Sequence, residues 1–186
     1  PFIDVHNHQG NMAPERLDGL LKDMDKLNMK VMVNLSGGNG DNLKTKIDNV
    51  KSKSPKRVIV FANVDFRGVG EPGWSEKAAK TLEEDVKYGA NGLKIFKNLG
   101  FSVKDTEGKR VSVDDPRLDA IWAKCGELKI PVLIHTADPK SFWDPVDEHN
   151  ERWLEIVTHP GRRRGPDNPV PFETLIEEQH RMFKKH

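Results

Sequence analysis

Residues 2–8 read FIDVHNH, with two histidines at the end of a short, mostly apolar stretch. Side chains alternate between the two faces of a β-strand, so a strand here places Asp4, His6 and His8 on the same face. Neutral imidazole is a common metal ligand, and a nearby carboxylate can fix the tautomer and orientation of its ring. The pattern predicts a metal site at the carboxyl end of the first strand. The alternative is a half-exposed histidine pair with no ligand role.

Composition limits the class of protein. The 186 residues suit one domain over 1–186, and the net charge of +1 gives no basic footprint for nucleic acid. Cys125 is the only cysteine, which excludes an internal disulfide. No apolar run approaches the roughly 20 residues of a membrane span. We therefore expect a soluble protein with no nucleic-acid or membrane partner, and its compartment, cytoplasmic or exported, is left open. The first residue is Pro1, so we expect that something N-terminal is missing.

Helical and strand-like patterns alternate along the chain. Helical spacing of apolar residues covers 14–29, 41–53, 75–88 and 115–128, and short apolar runs cover 31–35, 57–65, 92–96 and 131–135. Continuous apolar strands between amphipathic helices indicate a parallel sheet covered by helices. The first strand lacks a dinucleotide-type glycine pattern, which favours a barrel over a doubly wound sheet. The predicted fold is α/β, a partial TIM-like (β/α)8 barrel of about five βα units and a final helix over 172–186, without strands six to eight.

Residues suited to chemistry recur where the predicted strands end. His6 and His8 end the first strand, Asp65 ends the third, Lys94 lies on the fourth and His135 ends the fifth. Active sites of such barrels form at the carboxyl ends of the strands. This recurrence supports a divalent metal site with nitrogen ligands, for which zinc is the expected ion.

These residues resemble the amidohydrolase superfamily of metal-dependent barrels, and most closely its amidohydrolase-related branch of hydrolases, decarboxylases and hydratases. The resemblance rests on the histidine pair, on the strand-five histidine and on the segment Gly92-Leu93-Lys94. It implies that His6, His8 and His135 are metal ligands. It also implies that Lys94 can be carbamylated and bridge two metals; the alternatives for this lysine are that it binds a substrate carboxylate or reaches solvent from the barrel rim. We prefer a single metal.

The resemblance also implies a histidine on strand six and an aspartate on strand eight, and neither strand is present in this sequence. His180 and His186 lie on the final predicted helix and are unsuitable substitutes, so the catalytic residues are unknown. We therefore expect a fragment that is inactive alone. The edges of strands one and five would be open, so we expect pairing with a second copy or with the missing barrel half.

The segment from Thr136 to Pro171 is too long for an ordinary connection and follows strand five, where a barrel builds its substrate pocket. Trp143 and Asp144 are the candidate substrate-binding residues, as a pocket wall and a polar contact; the alternative is a loop packed by its own aromatic side chains. A short helix is expected over 148–157. The basic cluster Arg162-Arg163-Arg164 suits either an anionic substrate or a solvated loop.

The predicted function is that of a metal-dependent hydrolase or decarboxylase acting on a small carboxylated or cyclic molecule. A metal-activated water or a Lewis-acid metal would carry the reaction. One alternative is a phosphoesterase or nuclease on a similar barrel, although such nucleases usually have an acidic residue where this chain has Lys94. The other is a non-catalytic, metal-binding barrel fragment.

Overall fold

The computed structural model describes residues 1–165 and 170–186, and its contacts divide the chain into two compact units. The first unit comprises Pro1–Ile95 and Arg117–Ile134, and the second comprises Phe96–Pro116 and His135–His186. The interpretation of residues 1–186 as one domain stays a prediction. None of the helices in the described ranges is long and apolar enough to cross a membrane.

The first unit holds two three-stranded parallel sheets. One has the order β1 (Phe2–Asn7), β2 (Met29–Asn34) and β3 (Val58–Val60), and the other has the order β4 (Ala62–Asn63), β5 (Leu93–Ile95) and β6 (Val132–Ile134). The predicted α/β fold with parallel strands, a partial TIM-like barrel whose sheet is not closed, is confirmed.

The predicted strand over 57–65 is divided at Phe61. The Phe61 N–H donates to the Asn34 carbonyl (3.0 Å), whereas the Ala62 N–H donates to the Gly92 carbonyl (2.8 Å). Successive N–H groups of a strand that lies between two others point to opposite sides, so these two bonds connect the β2 side and the β5 side through one segment of chain. Phe61 separates β3 from β4 within that segment.

Amphipathic helices follow the strands of the first unit. They are α1 (Pro14–Lys26), α2 (Gly40–Lys53), α3 (Trp74–Tyr88) and α5 (Asp119–Leu128). The α3 helix is followed by Gly89, whose φ of 139° is a conformation that favours glycine. The α5 helix begins later than predicted because Pro116–Leu118 form a 3₁₀ turn.

The core of the first unit is formed by buried side chains of its strands and of its helices. Val33, Leu35 and Phe61 form a buried cluster against which Ile59 and Leu133 pack. The first strand is different, because Phe2, Ile3 and Val5 are 48%, 58% and 63% exposed. Among the described residues, β1 pairs only with β2. Three apolar side chains of this strand are therefore exposed to solvent.

The second unit contains α4 (Asn98–Phe101), α6 (Trp153–Thr158) and α7 (Phe172–Lys185). Its small core combines buried Ala137, Val170 and Leu175 with partly buried aromatic and aliphatic residues: Phe101, Trp143, Phe172 and Ile176. Residues 166–169 of the predicted long loop lie outside the described residues.

Two predicted helices of the second unit have different outcomes. The helix predicted over 172–186 is confirmed, with Leu175 and Met182 buried and Phe183 exposed. The helix predicted over 148–157 is shorter, since Asn150 holds the preceding residues in turns. Its side chain donates to the carbonyls of Ser141 and Pro145, both at 2.8 Å, and accepts from the Arg152 N–H at 2.8 Å.

Candidate metal centre

The two histidines of the first strand are brought together. The ring centroids of His6 and His8 lie 5.2 Å apart, with an angle of 67° between the ring planes. Asp4 has its partners within the same strand. Its carboxylate accepts from the His6 backbone N–H (3.0 Å) and from the Asn7 side chain (2.7 Å), and these bonds lower the pKa of Asp4. Asp4 therefore fixes the backbone at the end of β1.

His8 has a defined side-chain partner. Its Nδ1 lies 2.9 Å from the Ser36 hydroxyl, which belongs to the segment after β2. Partial burial lowers the pKa of His8, and the charges of His6 and Lys94 lower it further. The neutral ring, which is the form that binds metal ions, is thereby favoured.

Lys94 lies on β5 and is fully buried, with 0% exposure. Burial lowers the pKa of its ammonium group. This position differs from that of a lysine reaching solvent at a barrel rim, which was one of its three predicted roles. The Asn63 side chain donates to the Lys94 carbonyl (3.2 Å) and to the Leu35 carbonyl (3.0 Å). Asn63, on β4, is therefore bonded to the backbone of β5 and to the residue that follows β2.

Three polar residues near this centre were not predicted from the sequence: Asn34, Ser36 and Asn63. Asn34 and Asn63 are the last residues of β2 and β4. In the sequence, Asn34 and Asn63 each stand as a single amide near the end of an apolar run. Such an amide indicates a set of hydrogen bonds, because a buried amide needs partners.

His135 belongs to the second unit, where it is an exposed residue directly after Ile134, the last residue of β6. Its role as a third ligand stays a prediction. Within residues 1–165 and 170–186, no group of three or more His, Cys, Asp and Glu side chains is arranged to hold a metal ion. The pair His6 and His8 fits a metal in donor type and proximity, and it supplies two ligands of a set.

Trp143 lies in the aromatic core of the second unit. Its ring stacks on Phe101 (centroids 6.1 Å apart), meets Phe172 edge-on (5.4 Å), and donates from Nε1 to the Val170 carbonyl (3.0 Å). These contacts favour the alternative of a loop packed by its own aromatic side chains. Asp144 is 44% exposed and pairs with Lys140 at 3.0 Å. The predicted substrate contacts of both residues stay predictions.

The basic cluster of the second unit is engaged with carboxylates. Arg162 pairs with Glu155, and Arg164 pairs with the buried Asp138, which also contacts Lys97 at 2.6 Å. Burial raises the pKa of Asp138, but its hydrogen bonds and charge interactions with both cations outweigh burial and leave the pKa lowered. Arg162 and Arg164 thus have structural partners within the loop.

Parallel strands followed by helices, with paired histidines where the first strand ends, define the class of metal-dependent (β/α) barrels. The family model described as amidohydrolase matches residues 3–182. The chain therefore belongs to the amidohydrolase family, which is metal-dependent. A search of curated proteins finds no match to the sequence.

Several solved structures share this fold. A 2,6-dihydroxybenzoate decarboxylase in complex with 2,6-dihydroxybenzoate has a TM-score of 0.59 at 16% identity, and the Rhizobium enzyme has 0.55 at 17%. Each match covers 100% of this chain and 63% of the decarboxylase chain. The 4-oxalomesaconate hydratase of Rhodopseudomonas palustris has a TM-score of 0.50 at 18% identity, covering 73% and 52% of the two chains. The chain thus spans less than two thirds of the length of these neighbours.

Proposed function

We propose that this chain is the metal-binding part of a metal-dependent hydrolase or decarboxylase acting on a small carboxylated or cyclic molecule. The observation that carries the proposal is the contact between the His6 and His8 rings, with His8 Nδ1 held at 2.9 Å by Ser36. Two imidazoles at the carboxyl end of a barrel strand are suited to a shared ion. Because the chain spans 63% of the decarboxylase length, we place the complete reaction in the whole protein.

His6, His8 and His135 would hold the ion. Three nitrogen ligands suit zinc, whose catalytic sites keep three protein ligands and an open position. The ion would supply Lewis acidity, which activates water or polarises a carbonyl or carboxylate. The lowered pKa of His8 supports this assignment, since its ring need not lose a proton near neutral pH in order to bind.

Lys94 is our candidate for binding the substrate carboxylate. Its buried ammonium group influences His8 electrostatically, so the cation and the histidine pair belong to the same region of the first unit. A charge-assisted bond to a carboxylate is strong where water is excluded. The decarboxylase bound to 2,6-dihydroxybenzoate makes carboxylated aromatic rings the first compounds to test. We propose Trp143 and Asp144 as further substrate contacts in the whole protein.

Metal content tests the proposal directly. The purified chain would be loaded with zinc, dialysed and measured by plasma mass spectrometry. We expect about one ion per chain, and its loss in the double variant His6→Ala, His8→Ala. The matched control is His149→Ala, His159→Ala, which removes two exposed histidines of the second unit and should retain the ion.

A separate His135→Ala variant tests the third ligand, and we expect weaker but measurable binding from the remaining pair. A wild-type chain without metal after loading, or equal metal in the His6, His8 double variant, would contradict the proposed function.

A further inference from the structure

The loop that carries His8 is fixed by Asn34, a completely buried residue at the end of β2. The Asn34 Oδ1 accepts from the Gln9 N–H (2.8 Å) and from the Ser36 N–H (3.1 Å). Its Nδ2 donates to the Gln9 carbonyl (3.1 Å) and to the Met12 sulfur (2.8 Å). Both backbone groups of Gln9, the residue after His8, are therefore bound by one side chain.

The residue before His8 is tied to the same segment. The Leu35 N–H donates to the Asn7 carbonyl at 2.8 Å. Asn7 and Gln9 are thus attached to the end of β2 and to the residue that follows it. The backbone on either side of His8 has little freedom to move relative to that segment.

Ser36 is fixed in turn. Its N–H is bonded to Asn34, and its carbonyl accepts from Lys46 Nζ on α2 at 2.8 Å. With both backbone groups held, the Ser36 hydroxyl has a set position 2.9 Å from His8 Nδ1. A partner at one ring nitrogen holds the ring plane, and a hydroxyl there can accept from the N–H or donate to the bare nitrogen.

We propose that Ser36, positioned by Asn34, is a positioning residue that orients His8 and selects its tautomer. In the proposed arrangement the Ser36 oxygen accepts from His8 Nδ1–H, rather than donating to a bare Nδ1, and Nε2 is then the nitrogen that binds the ion. This inference rests on the proposed function for the role of the ion, while the tautomer itself is a property of the metal-free chain. Partners of this kind typically change metal affinity about 10- to 100-fold when removed.

Long-range ¹H–¹⁵N spectra of the histidine rings in the metal-free chain test the tautomer, with His8 assigned by comparison with His8→Ala. We expect the Nδ1–H form in the wild type and a shift of the population towards the Nε2–H form in Ser36→Ala. Ser36→Thr retains the hydroxyl and should restore the Nδ1–H form. The control Ser52→Ala removes an exposed hydroxyl from α2 and should change nothing.

Zinc affinity, measured by competition with a chromogenic chelator, should fall about 10- to 100-fold in Ser36→Ala and stay unchanged in Ser52→Ala. An identical His8 tautomer in the wild type and Ser36→Ala, both folded by circular dichroism, would overturn the inference. An Nδ1–H His8 that depends on Ser36 in a chain that binds no zinc would support the positioning role and contradict the proposed function. The two failures are therefore distinguishable.

Discussion

Asp85 is a buried carboxylate on α3 that is 1% exposed and accepts a hydrogen bond from the first turn of a neighbouring helix. Its two oxygens lie 2.9 and 3.2 Å from the Gly40 backbone nitrogen, the first residue of α2. Burial raises the pKa of Asp85 from 3.8 to about 6, against the opposing effects of the Gly40 bond and the Lys44 charge. The folded chain therefore holds the proton of Asp85 more tightly than the unfolded chain does.

The sign of the effect on stability follows from this difference. A carboxyl group whose pKa is raised in the folded state stabilises the fold below its unfolded pKa, and this stabilisation is lost as the pH rises through the folded pKa. The difference between a pKa of 3.8 in the unfolded chain and about 6 in the folded chain corresponds to about 3 kcal/mol of stability lost at pH 8. Each unit of pKa difference is worth about 1.4 kcal/mol. Most of that loss falls between pH 4 and pH 7.

Asp85→Asn keeps an oxygen for the Gly40 N–H and removes the ionisation. We expect the stability of this variant, measured as its free energy of unfolding minus that of wild type, to be about 2–3 kcal/mol greater at pH 8 than at pH 4. Urea unfolding followed by circular dichroism at both pH values gives this difference, in which any cost of the amide that does not depend on pH cancels.

Asp41→Asn is the matched control for Asp85→Asn, because it removes a fully exposed carboxylate from the first turn of the same helix. The stability of this variant relative to wild type should change far less between pH 4 and pH 8 than that of Asp85→Asn, since an exposed carboxylate is solvated in both the folded and the unfolded chain. Equal pH dependence of Asp85→Asn and wild type would refute the reasoning, as would a variant that is relatively less stable at pH 8 than at pH 4.

Three further substitutions have expected outcomes. Lys94→Met should weaken binding of a benzoate-type carboxylate roughly 10- to 150-fold in calorimetry, because a charged partner is lost, and unchanged affinity would count against the role of Lys94. Trp143→Ala should lower the free energy of unfolding in urea by about 3–5 kcal/mol. The control Phe183→Ala, at a side chain that is 57% exposed, should lower it by less than about 1 kcal/mol. Similar losses in the two variants would place Trp143 outside the core. Asp138→Asn leaves Arg164 with an uncompensated charge and should lower the free energy of unfolding by about 3–5 kcal/mol at pH 7. The loss should be smaller at acid pH, because wild-type Asp138 is protonated there and no longer stabilises the fold.

The regular helices could be predicted from local pattern alone. The ranges 41–53, 75–88 and 172–186 differ by one residue at most from each end of Gly40–Lys53, Trp74–Tyr88 and Phe172–Lys185. An amphipathic helix satisfies its backbone internally, so its extent depends chiefly on the sequence within it. Strands depend on partners elsewhere in the chain. The division into Val58–Val60 and Ala62–Asn63 therefore leaves no trace in an apolar run that is continuous from 58 to 62.

The candidate site shows the same division between local and distant information. The histidine pair is local, because His6 and His8 are close in the sequence. Asn34 meets Gln9 and Met12, which lie 25 and 22 residues away, so spacing along the chain gives no indication of these contacts.

A physical reason nevertheless favours amides at these strand ends. Asn34 and Asn63 each offer a donor and an acceptor, and they join neighbouring loops without ionising. A carboxylate at either place would compete with the histidines for a cation, and an ammonium group would repel the cation. Asn34 holds the loop that carries His8, Asn63 holds the segment after β2, and neither amide adds a charge to the candidate site.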